Sequence, residues 1–176
     1  MRRKLMIGGV VLVVAAVGLG GAALAGAFDD DGGPPRSAAD AGRAGSAAVR
    51  AAGGGEIVSV GLSDDGGATW DVDVVRDGQE VEVLLDEGLK TVRTERDPDD
   101  GAGTLDNDDR PLTPEQVQRA GEAAVSAVGG GGIESVSSSD DPSAAYEIEV
   151  RRGDRDYDVA LDERFEVVAK AADDND

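Results

Sequence analysis

Apolar and polar residues alternate with a period of two over Trp70–Val74. Trp70, Val72 and Val74 point to one face of a strand, and Asp71 and Asp73 point to the other. The alternation resumes at Val81, Val83 and Leu85 after Arg76-Asp77-Gly78-Gln79, whose Asp-Gly pair suits a type I′ hairpin turn. The same pattern returns with Tyr146, Ile148 and Val150, a turn around Gly153-Asp154, then Tyr157, Val159 and Leu161. Shorter strands are predicted over Ile57–Leu62 and Ile133–Ser137. Edge strands are predicted over Leu89–Arg93 and Phe165–Lys170, after the turns Asp86-Glu87-Gly88 and Asp162-Glu163-Arg164. Ahead of each strand set the period changes to that of a helix. Thr113-Pro114-Glu115-Gln116 is a capping box with proline at the first helical position. Val117, Ala120, Ala124, Val125 and Val128 form an apolar stripe behind it, and the glycines at 129–132 end it. The earlier helix runs from Ser37 to the glycines at 53–55. Gly42 and Gly45 each cost about 0.8–1 kcal/mol relative to alanine in a helix interior, so this helix is expected to fray.

These two blocks are copies. Sliding the chain by 76 residues lays Ser37–Val92 on Thr113–Val168 without a gap, and about 24 of the 56 aligned positions are identical. Ala47-Ala48-Val49 meets Ala123-Ala124-Val125, Trp70–Val74 meets Tyr146–Val150, and Leu85-Asp86-Glu87 meets Leu161-Asp162-Glu163. The chain reads as a tandem duplication of a unit of order αββββ, an α+β class with one helix on a small antiparallel sheet per copy. The expected boundaries are 37–96 and 112–171, with an acidic linker at 97–111 and a disordered tail at 172–176. A unit of about 60 residues buries only about 60% of its unfolded surface, so the two copies are expected to pack on each other, with beads on a string as the alternative.

The first 27 residues follow a different pattern. Arg2, Arg3 and Lys4 precede an uncharged run from Leu5 to Ala27, which at about 1.5 Å per residue spans roughly 34 Å, against a hydrocarbon core of about 30 Å. Asp29–Asp31 follow it, so the positive-inside rule puts the remainder outside the cytoplasm. The segment reads as a single-pass membrane anchor. The alternative is a signal peptide cleaved after Ala23-Leu24-Ala25, with secretion of the rest. Residues 28–36, with Gly32, Gly33, Pro34 and Pro35, form a linker.

Composition narrows the chemistry. Neither cysteine nor histidine occurs, which excludes disulfides, thiolate and histidine catalysis, and histidine or cysteine metal sites. The net charge is −20, and setting aside Arg2, Arg3 and Lys4 leaves −23 for the rest, so nucleic acid is repelled. No cofactor, catalytic residue or small-molecule substrate is called for.

An aromatic-acid-apolar-acid-Val strand, a tight turn and a Tyr/Val-x-Val-x-Leu-Asp strand behind a helix and a glycine-rich break resemble the PepSY domain. The carriers are Tyr146–Val150, Asp156–Asp162 and Val167-Val168 in the second copy, with Trp70–Val74 and Glu80–Asp86 in the first. PepSY domains occur in propeptides of secreted metalloproteases and in bacterial envelope proteins. The resemblance implies a non-catalytic exported module that binds or inhibits a protein partner such as a secreted protease in trans. It brings no catalytic residues with it.

Four carboxylates are the candidate partner-binding residues. Asp71, Asp73, Glu147 and Glu149 line the outward strand face of each copy, either as a solubilising surface or as a dock for a basic partner. Trp70, the single tryptophan, reads as a core or half-buried aromatic. Asp97, Asp99, Asp100, Asp106, Asp108 and Asp109 lack the spacing of a calcium loop and read as solvated linker charge. The glycine runs follow helices and have no lysine after them, so they are helix caps and not phosphate loops. An acidic cation-binding or structural envelope protein is the alternative reading.

Overall fold

The computed structural model describes residues 36–96 and 110–173. The expected anchor at 1–27 and linker aspartates 97–109 lie outside the described residues. Two helices, α1 (Ala38–Ala52) and α2 (Pro114–Val128), precede four strands each: β1 (Glu56–Leu62), β2 (Trp70–Arg76), β3 (Gln79–Leu85) and β4 (Thr91–Arg96), then β5 (Gly132–Ser138), β6 (Tyr146–Arg152), β7 (Arg155–Leu161) and β8 (Val167–Asp173). The fold is α+β. No helix among the described residues is long and apolar enough to cross a membrane.

The expectation of one small sheet per copy is corrected. All eight strands form one antiparallel sheet in the order β4-β3-β2-β1-β5-β6-β7-β8. The junction is β1 against β5, with Ser59 opposite Ser137, Val60 opposite Val136 and Gly61 opposite Ser135. An unpaired β1 or β5 would leave a row of N–H and C=O groups at an open edge, and each strand removes the other's edge. The lead-in segments extend this exchange. Leu112 pairs with Ile57 through two backbone hydrogen bonds, at 2.7 and 3.2 Å, and Ile133 N–H donates to Arg36 C=O at 2.8 Å. Each half thus straps the first strand of the other.

Both helices lie on one face of the sheet and touch each other. Their inner surfaces are mostly alanine, with Ala41, Ala44, Ala48, Ala120 and Ala124 all fully buried. Small side chains bring helix backbone close to the sheet, where Ile57, Val60, Val72, Val74, Val83, Val136, Val150 and Leu161 complete the core. Trp70 is 2% exposed, in the core as its alternation predicts. The aligned Tyr146 stacks on Phe165 at 4.9 Å between ring centroids, and Arg119 lies 4.3 Å above the Phe165 ring.

The expectation of a frayed first helix is also corrected. Helix α1 is 15 residues long, as α2 is, with a capping box between Ser37 and Asp40 and a left-handed Gly53 at its C-terminus. Gly42 and Gly45 are buried, and a Cβ on Gly42 would meet the Pro114 carbonyl oxygen and Gln118 Cβ at 3.0 Å. Helix propensity, a local quantity, is outweighed here by the close approach of α2. The hairpins brace the far helix ends: Arg76 Nη1 donates to Ala52 C=O at 2.6 Å and Arg152 Nη1 to Val128 C=O at 2.7 Å.

The edge strands begin later than predicted, at Thr91 and Val167 in place of Leu89 and Phe165. Leu89 and Phe165 take φ of 60° and 66° and turn their side chains onto the core, so they belong to the turns.

A methyl group at Gly121 would lie 2.8 Å from Ala38 Cβ on the other helix. Gly121→Ala is therefore expected to destabilise the protein by about 1–3 kcal/mol, although alanine favours a helix interior by about 1 kcal/mol. Urea unfolding of the variant checks this; an increase in stability would mean that the helices are not in close contact.

Candidate functional site

Among the described residues, the helices cover one face of the sheet and leave the other open. Its midline is built from small residues: Ser59 and Gly61 on β1, Ser135 and Ser137 on β5. On either side stand the four predicted carboxylates, Asp71 and Asp73 on β2, Glu147 and Glu149 on β6. The strand order puts them on one surface, with β2 and β6 three strand spacings apart, about 14 Å. Two acidic ledges thus flank a low central floor. The second ledge borders a shallow depression lined by Ser135, Ser137, Glu147, Glu149, Asp158 and Ala160.

Each carboxylate has a different setting. Asp71 lies between Gly61 on β1 and Leu84 on β3, and Leu84 is 3% exposed. Burial pushes the Asp71 carboxyl up to about 6, with the Asp73 and Glu82 carboxylates adding to the effect and Arg93 opposing it. Its Oδ1 is buried without a hydrogen-bond partner among the described residues. Asp73 sits between Ser59 and Glu82 and accepts a 2.8 Å hydrogen bond from Ser59 Oγ. Burial between Ser137 and Ala160 raises Glu147, against a 2.8 Å hydrogen bond from Ser139 Oγ. Glu149 lies between Ser135 and Asp158.

Glu149 also belongs to a group that the strand pattern did not reveal. Carboxylate oxygens of Glu134, Glu149 and Asp156 lie within 4.8 Å of one another. A register shift between Ile133 and Ser135 makes a bulge, which puts Glu134 and Ser135 on the open face together and returns Val136 to the core. The tandem pair Glu134-Ser135 between two buried apolar residues is the signal for this, since strict alternation cannot place both Ile133 and Val136 inside. A cation already occupies the group: Arg151 Nη1 is 2.9 Å from Glu134 Oε1, and Arg151 Nε and Nη2 donate to Asp156 at 2.8 and 3.2 Å.

Residues 111–162 match the family described as "Peptidase propeptide and YPEB domain". That stretch resembles a PepSY domain. It covers the lead-in to α2, the helix, and strands β5 to β7 with the first residue of the turn beyond, so the second acidic ledge lies within it. No curated protein matches the chain. Among solved structures, a DUF2874 family protein from Bacteroides uniformis is 16% identical, with 73% of this chain and 86% of that chain covered and a TM-score of 0.29. A BLIP-like protein from Bacteroides fragilis is 17% identical, with 85% and 96% covered and a TM-score of 0.28. Likeness at that level carries no weight for function.

Asp71 holds its proton more tightly when folded, at about 6, than at its ordinary 3.8. Its contribution to stability is therefore complete below about pH 3.8 and is lost as the pH rises through about 6. Asp71→Asn is expected to be more stable than the parent at pH 7.5, by about 1 kcal/mol after screening by solvent, with the difference fading towards pH 3.5. Urea unfolding at the two pH values measures it. A difference independent of pH would mean that burial is not what holds the carboxyl up.

Proposed function

We propose that this protein is a non-enzymatic binding module of the bacterial cell envelope. In this reading its first half is a second, diverged PepSY unit, and the pair binds and restrains a protein partner such as a secreted protease. The partner docks on the open sheet face between the acidic ledges. Residues 1–27 export the module, as a single-pass anchor or as a cleaved signal.

The observation that carries the reading is the two rows of carboxylates on a face that neither described helix covers. A face needed only for solubility has no cause to half-bury Asp71 and Glu147, because desolvating a carboxylate is costly. A basic partner surface compensates that cost, and complementary charge hastens encounter. The family description supports the protease side, since it includes peptidase propeptides. The absence of histidine and cysteine from the sequence supports a role without catalysis.

Adding the purified exported region to proteases secreted by the source organism, while following residual activity, tests this. Saturable inhibition near 1:1 is expected, weakening as salt is raised. Replacing Asp71, Asp73, Glu147 and Glu149 together by their amides is expected to weaken it at least about tenfold, or about 1.4 kcal/mol. Inhibition untouched by the four substitutions would remove the face from the reading. Digestion of the protein without inhibition would remove the protease.

A further inference from the structure

The cluster around Arg151 has more negative charge than its one guanidinium can balance. Glu134 on β5, Glu149 on β6 and Asp156 on β7 come within 4.8 Å across three strands. Arg151 bridges Glu134 and Asp156 and also attracts Glu149, yet one cation does not offset three carboxylates this close, so the group tends to keep a proton.

The fold does not require the arrangement. Shifted by 76 residues, Glu134, Glu149, Arg151 and Asp156 correspond to Val58, Asp73, Val75 and Glu80. Strands β1 and β2 pair there with a register shift between Ile57 and Ser59, as β5 and β6 do between Ile133 and Ser135. The same backbone is built with two valines where the second half has Glu134 and Arg151.

We propose that Glu134, Glu149, Asp156 and Arg151 form a proton-operated clasp on the open face. With its proton, Glu134 donates to Asp156 and ties β5 to β7 over β6. Without it, the direct bond is lost, Arg151 alone bridges Glu134 and Asp156, and the face gains a negative charge. No other reactant takes part: the proton leaves to water and returns from it. The clasp is a property of the free protein; its effect on partner binding rests on the docking reading above.

The charged groups around Glu134 are mostly acidic, with Arg151 as the opposing cation. Strand β6 presents Glu147, Glu149 and Arg151, and β7 presents Asp156 and Asp158. Strand β1 brings the uncharged Gly61, opposite Ser135, and on β8 Asp173 pairs with Asp156 through the backbone. Arg36 reaches Ile133 by its backbone while its guanidinium goes to Glu87 at 3.2 Å. Burial pushes Glu134 up to about 7, Arg151 opposes this, and the Asp156 and Glu149 carboxylates reinforce it.

Carbon-13 NMR of the glutamate carboxyls in the full chain, between pH 4 and pH 9, reads the clasp directly. Glu134 is expected to titrate near 7. Its raised value means that stability is complete below the ordinary 4.5 and lost as the pH rises through about 7. Between pH 5 and pH 8 the folding constant of the parent should therefore fall about tenfold to a hundredfold more than that of Glu134→Gln, which cannot lose a proton. The double variant Glu134→Val with Arg151→Val, copying positions 58 and 75, should behave like Glu134→Gln and keeps a fold that already tolerates valines there. Titration of Glu134 among ordinary carboxylates, or an equal fall in parent and both variants, would overturn the clasp whatever the protein binds. Titration near 7 with no protease binding at any pH would leave the clasp standing and remove the docking reading.

Discussion

The architecture depends on the pairing of β1 with β5. Val60 and Val136, 76 residues apart, face each other, and their flanking serines and glycine pair in reciprocal order. The halves thus meet as two subunits meet across a two-fold axis. One pairing joins the two halves into a single sheet, places both helices on the same face, and brings the acidic strand faces onto one surface. Without it neither half has enough buried area to be more than marginal, because a core built from alanine and valine gains little per residue.

Much of this could be read from the chain. The hairpins β2–β3 and β6–β7 follow from alternation and from turn residues at Asp77-Gly78 and Gly153-Asp154. The helices follow from their caps, and Trp70 and Tyr146 fall inside as their strand phase requires. What could not be read depends on contacts distant in sequence. Which edges join is decided between β1 and β5, each of which alone is a short strand without a distinguishing pattern. Gly42 and Gly45 look like helix breakers to a local scale and turn out to lie where a second helix and the sheet press against them. Leu89 and Phe165 look like strand residues by hydrophobicity, yet they bury themselves from a left-handed turn.

The candidate site shows the same division. Strand phase alone placed Asp71, Asp73, Glu147 and Glu149 away from the core, and they do face away from it. Their nearness to one another came from the strand order, which no single strand encodes. Glu134 escaped because one extra residue in a bulge changes the face of every residue after it. The two halves share backbone geometry at that bulge and differ in chemistry, so the acidic group with Arg151 reflects side-chain choice and not a demand of the sheet.

The strand order also bears on how the chain reaches this structure. Six of the seven strand pairings join neighbours in sequence across short turns, while β1 and β5 start at Glu56 and Gly132. Hairpin closure is a microsecond event, and joining distant segments carries a larger loop-closure entropy. The halves can zip up independently, and the seam sets the non-local part of the barrier. Until it closes, each half presents an unpaired first strand, and the concentrated negative charge of the chain is then what keeps one molecule's open edge from finding another's.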